Sequence, residues 1–88
     1  MTGANPNDAE ALALAALAAT LTDERRAERF LSLTGLSPDG IRFRLHDRSL
    51  LAACIGFLEG HEPDLLSVAE DIGIGPEQLL RAKAELEG

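Results

Sequence analysis

Asp47-Arg48-Ser49-Leu50-Leu51-Ala52-Ala53-Cys54-Ile55-Gly56-Phe57-Leu58-Glu59-Gly60 has a capping acid at one end, a glycine at the other, and almost no polar residue from Leu50 to Leu58. An Asp side chain accepts from the first free N–H groups of a helix, and a Gly closes one. The segment therefore reads as a helix from Asp47 to about Glu59. A helix that is apolar on nearly every face belongs at the centre of a small protein, with the rest of the chain wrapped round it.

Toward the N-terminus, Ser37-Pro38-Asp39 starts a short helical piece with Ile41 and Leu45 four apart, weakened by Gly40. Arg42-Phe43-Arg44-Leu45-His46 also alternates like a strand, but a lone five-residue strand has nothing to pair with, so the helical reading is kept. Before it, Thr22 is expected to cap a helix closed by Gly35, with Ala27, Phe30 and Leu31 at helical spacing. Asn5-Pro6-Asn7-Asp8 reads as the start of the first helix, which runs to about Leu21. Toward the C-terminus, Pro63 opens a helix through Ile72, Gly73 closes it, and Pro76 opens a last helix to about Glu87. The expectation is an all-α, compact orthogonal bundle of five or six short helices, with residues 1–5 a flexible N-terminus and residues 6–88 one helical domain.

Two corners of this bundle echo each other. Gly35-Leu36-Ser37-Pro38-Asp39 and Gly73-Ile74-Gly75-Pro76-Glu77 repeat glycine, aliphatic, small residue, proline and acid at an offset of 38. The glycine suits the left-handed position after a helix, the aliphatic side chain folds back on that helix, and proline begins the next one. Each is a helix-turn-helix-like corner; two copies fall short of a repeat array.

Composition bounds the function. The chain has 88 residues, 45% hydrophobic and 26% charged, which is ordinary for a folded domain. One cysteine, Cys54, forms no internal disulfide and no zinc-type cluster, which points to a reducing, cytoplasmic setting. The apolar run Ala11–Ala19 is too short for a membrane span, and no basic residue precedes it as in a secretory signal. Formal net charge is −7, distributed as −4 over residues 1–24, +3 over 25–48 and −6 over 49–88.

Three regions are candidate sites. Residues 65–86 have the spacing of a DNA-reading helix-turn-helix, with Ala69, Gly73 and Leu79 in place and Arg81 and Lys83 on the second helix. Any packed corner needs the same small residues and left-handed turn, and acids outnumber bases eight to two after residue 48, so nucleic acid is not the expected partner. Arg25, Arg29, Arg42, Arg44, His46 and Arg48 lie in the one positive region, where guanidinium groups suit a phosphate, a nucleotide or an acidic protein surface; the plain alternative is pairing with the chain's own carboxylates. Leu12, Leu14, Leu17 and Leu21 spread round more than one face of the first helix and form a candidate helix–helix interface. His46 and His61 sit beside acids at helix ends, and Cys54 lies in the apolar helix, positions read as capping and core rather than chemistry. No catalytic constellation and no phosphate loop is present.

Arg29-Phe30-Leu31-Ser32-Leu33-Thr34-Gly35-Leu36-Ser37-Pro38 resembles the bacterial family known as domain of unknown function 3572. Leu50-Leu51-Ala52-Ala53 with Phe57-Leu58, and Gly73-Ile74-Gly75-Pro76-Glu77 with Arg81-Ala82, extend the resemblance from Ala11 to Leu86. It implies an α-helical cytoplasmic protein of alphaproteobacterial source, with no established activity and no catalytic residue to carry over. The chain departs from the pattern at Ser67-Val68-Ala69 and at His46-Asp47. The reading from residues and resemblance together is a small cytoplasmic, non-enzymatic protein–protein interaction or adaptor module, with no cofactor and no metal, that binds a protein partner or itself. The alternatives are a helix-turn-helix regulator using residues 65–86 and a small-anion or nucleotide binder at Arg42–Arg48.

Overall fold

The computed structural model describes residues 8–88. In chain order it contains α1 (Ala9–Thr22), α2 (Glu24–Thr34), α3 (Pro38–Arg42), α4 (Arg48–Glu59), α5 (Glu62–Asp71) and α6 (Pro76–Glu87), and no strand among the described residues. The fold is all-α. The flexible segment expected at residues 1–5, and the helix start expected at Asn5-Pro6-Asn7, lie outside the described residues.

α4 occupies the centre, in contact with α1, α5 and α6. Leu50, Leu51, Ala52, Cys54, Ile55 and Leu58 are buried, Ser49 and Ala53 are exposed, and Gly56 and Phe57 are half-buried. α1 crosses it on alanines: Ala9, Ala13 and Ala16 are buried with Leu17 and Thr20. Thr20 satisfies its hydroxyl inside its own helix by donating to the Ala16 carbonyl at 2.7 Å, which lets it lie 3.7 Å from the Cys54 sulfur without an unpaired polar group. α2 contributes Phe30, fully buried and edge-on to Phe57 of α4 with ring centroids 5.3 Å apart. The Arg29 guanidinium covers the other ring, 5.3 Å from the Phe57 centroid.

The helix ends follow local chemistry, with three corrections. Thr22 does not cap α2; its hydroxyl turns back to the Ala19 carbonyl as the last residue of α1, and Asp23 caps α2 by accepting from the Arg25 and Arg26 N–H groups at 2.9 and 3.1 Å. The carboxylate geometry wins because Asp23 is held extended at the elbow, where it reaches both N–H groups. Those bonds, the Arg26 N–H foremost, hold its carboxyl below the usual range. α3 stops at Arg42 rather than reaching Leu45, because the chain must turn over residues 43–46 to bring Asp47 extended before α4. α5 opens at Glu62, one residue before Pro63, and Ile72 follows it as the cap.

The two corners form as expected at Gly35 (φ +73°) and Gly73 (φ +76°), the positive-φ residues among those described. They close differently. Gly35 donates to the Leu31 carbonyl alone, whereas at Gly73 the Gly73 N–H reaches Glu70 and the Ile74 N–H reaches Ala69, the double closure of a Schellman motif. Leu36 and Ile74 then pack back on the core, and Pro38 and Pro76 open the next helices.

Arg26 belongs to the positive segment 25–48, and the fold buries it, its side chain 9% exposed. It bonds the Ala19 carbonyl at 2.8 Å and reaches Ser67 at 3.5 Å and Asp71 at 3.9 Å, tying α1 and α2 to α5, while its Nε has no partner. Because Thr22 also donates to the Ala19 carbonyl, removing the guanidinium leaves no orphaned acceptor there. Arg26→Met, which keeps the packed stem, is thus expected to change stability by no more than about 1 kcal/mol in the unfavourable direction, while Arg26→Ala costs about 1–3 kcal/mol through lost packing. Urea unfolding of both variants checks this; equal losses would show that the charge, not the stem, holds the three helices together.

Among the described residues, no helix is long and apolar enough to cross a membrane.

Candidate functional site

The elbow at Asp23 and the corner at Gly35 fold α1, α2 and α3 around an apolar groove of about 350 Å³. Leu21 enters from the last turn of α1, Ala27 and Leu31 from the face of α2 next to Phe30, and Pro38 and Ile41 from α3. Leu45 closes one end and Arg42 stands on the rim. The wall residues follow from sequence spacing: Ala27 and Leu31 are four apart on α2, and Ser37 caps α3 by accepting from Gly40, which sets Pro38 and Ile41 side by side one turn apart.

The six candidate anion contacts do not converge. Arg42 is at the groove and forms no ion pair among the described residues. Arg44 is turned away from it, forked on Asp47 through Nε at 3.0 Å and Nη2 at 2.7 Å. This pair, with the α4 N–H groups Asp47 caps, holds the Asp47 carboxyl below its usual range. Arg48 crosses to another side of the molecule, on Glu10 and on the Glu85 carbonyl. Arg25 and Arg29 border a separate cleft of about 310 Å³ with Arg26, His61, Asp23 and Asp64, in which Arg29 pairs with Asp64. His46 is exposed and His61 lends its backbone, not its side chain, to the start of α5.

The four interface leucines also separate. Leu17 is removed from any partner surface, being 1% exposed inside the chain's own core, because it lies on the side of α1 turned to α4. Leu12 packs toward α6, near Gln78 and Ala82. Leu14, 37% exposed, and Leu21 lie two turns apart on one edge of α1; Leu21 lines the groove and Leu14 does not. The residues that sequence reasoning missed are Leu31, Pro38 and Ile41 as groove walls and Phe43 beside them, 88% exposed. An aromatic flanked by arginines was the available signal for Phe43; helical spacing marks Leu31 and Ile41 as apolar positions but not that their faces meet in a groove.

The α5–α6 corner has Ala69 and Leu79 buried and α6 packed on α4 and α1. Lys83 is engaged by Glu59 at 3.6 Å and Glu87 at 3.3 Å, the latter raising its ammonium pKa. Arg81 is exposed, but Arg26 and Arg29 meet α5 through its acids Asp71 and Asp64 rather than lining the corner as free cations. Cys54 is fully buried, and burial pushes its thiol up to about 11, the opposite of an activated nucleophile. No three His, Cys, Asp or Glu side chains among the described residues are grouped to hold a metal.

No curated protein and no solved structure gives a significant match. A family model described as "Protein of unknown function (DUF3572)" matches residues 6–88.

Proposed function

Since the chain belongs to the DUF3572 family, whose description names no activity, we propose from its own surface that it is a non-enzymatic interaction module that docks a protein segment in the α1–α2–α3 groove. The observation that carries this reading is the meeting, in one groove, of Leu21 from α1 and Leu31 from α2 with the segment Ile41–Leu45, where an aliphatic floor is bordered by a cation without a carboxylate partner among the described residues. Apolar grooves with a few placed polar groups are how small domains hold partner segments: burial of aliphatic side chains supplies affinity, and a rim charge sets register. Against an enzyme reading stands the state of the one thiol, buried and protonated at neutral pH. A cytoplasmic setting belongs to the same proposal, because Cys54 is kept as a free thiol in the core.

A photo-crosslinking residue placed at Arg42 on the groove rim or at the exposed Glu28 next to Ala27, compared with one at the exposed Ala84 of α6, tests the proposal in cells that make the protein. Rim positions are expected to give a discrete adduct, with a partner or with a second copy, and Leu31→Glu is expected to abolish it while circular dichroism shows the helices intact. The absence of rim adducts, or equal labelling from Ala84, would overturn the reading.

A further inference from the structure

Exposed charges of both signs stand on the segments that line the groove. On α2, Glu28 and Glu24 precede Leu31 by three and seven positions and so stand along the edge of the helix that lines the groove. Both are exposed and neither forms an ion pair among the described residues. The opposite wall carries Arg42, likewise exposed and unpaired among those residues. One residue further on stands Phe43, the largest exposed apolar side chain. Its N–H is bonded to the Asp39 carbonyl and the next N–H to that of Ile41, so the ring is held outward by an ordered backbone.

Resting on the interaction-module reading, we propose that the occupant of the groove is Phe43 of a second copy of this chain, in a two-fold pair. In a two-fold contact each patch meets its own image, so a protruding side chain beside a recess lets both copies insert and receive at once. The charges meet the same condition. The rotation that carries Phe43 to the other copy's groove brings Arg42 toward that copy's Glu24 and Glu28, and reciprocally, giving two complementary contacts. Aromatic insertion between the aliphatic walls supplies the burial.

Sedimentation over a hundredfold concentration range, followed by interference optics because the chain lacks Trp and Tyr, is the test. The expected mass rises from 9.4 kDa toward twice that value with concentration. Phe43→Ser is expected to weaken the pair by about tenfold or more. Arg42→Glu alone and the double change Glu24→Arg, Glu28→Arg are each expected to weaken self-pairing, and an equimolar mixture of these two variants to recover it, because every rim contact in the mixed pair is again of opposite sign. All four positions are exposed, so folding is preserved and is verified by circular dichroism. A chain that stays monomeric throughout, a pair indifferent to Phe43→Ser, or a mixture without recovery would overturn the proposal. A monomer whose rim still crosslinks to a different protein would overturn self-pairing while leaving the interaction-module reading in place; a monomer with no rim adduct would remove both.

Discussion

Phe30→Ala is expected to bring the protein close to the limit of folding. A chain of 88 residues has about 4–13 kcal/mol to lose at typical values per residue, and truncating a fully buried phenylalanine costs about 3–5 kcal/mol. Phe30 is at 0% exposure, and its loss opens a void where α2 meets the core and strips Phe57 of its edge-on neighbour. Phe57 cannot fall into that void without leaving the Arg29 guanidinium that lies over its ring. Urea unfolding followed at 222 nm gives the change in midpoint. A loss below about 1.5 kcal/mol would mean that the site collapses around the missing ring, and that α2 is held chiefly by Arg26 and Arg29 instead.

Enlarging α1 on its buried side comes next in size. Ala13→Leu with Ala16→Leu is expected to cost about 3 kcal/mol or more, because both Cβ atoms face packed neighbours at 0% exposure and extra methylenes force α1 away from α4 and α6. Leu14→Ala, which removes a large side chain from the same helix at a position 37% exposed, is expected to cost less than about 1 kcal/mol. The ranking inverts what residue size along α1 suggests, and thermal unfolding of the two variants side by side checks it. If Leu14→Ala were the more damaging, α1 would be seated on its leucine edge rather than on its alanines.

That inversion marks where sequence reading stopped. The apolar residues of α1 cover all its sides, so periodicity offers no contrast between faces, and the leucines drew attention because they are large. The helix lies on its alanines since small side chains let two backbones approach closely enough to bury Thr20 against Cys54. The candidate leucines consequently divided among core, α6 and groove edge. The arginines divided for a related reason. Helices bring residues distant in sequence together, and three guanidinium groups met carboxylates, Arg29 on Asp64, Arg48 on Glu10 and Arg44 on Asp47, while Arg25 and Arg42 form no ion pair among the described residues and only Arg42 is at the groove. The expected pairing with the chain's own carboxylates is seen for these three, and the burial of Arg26 lay beyond what spacing expressed.

The parts of the structure legible from residues alone are those governed by atoms a few bonds apart along the chain. Asp47 reaches N–H groups two and three residues on, Gly35 and Gly73 turn left-handed because they lack a Cβ, and the uninterrupted apolar stretch of α4 has no stable place except inside. The groove has no such origin. Its walls come from Leu21, Leu31, Ile41 and Leu45 on separate segments, and it exists because the elbow at Asp23 and the turn at Gly35 leave three helices converging without filling the space between them. Close packing between distant residues is a property of the assembled molecule, so the surface that carries the proposed function came into view only with the fold.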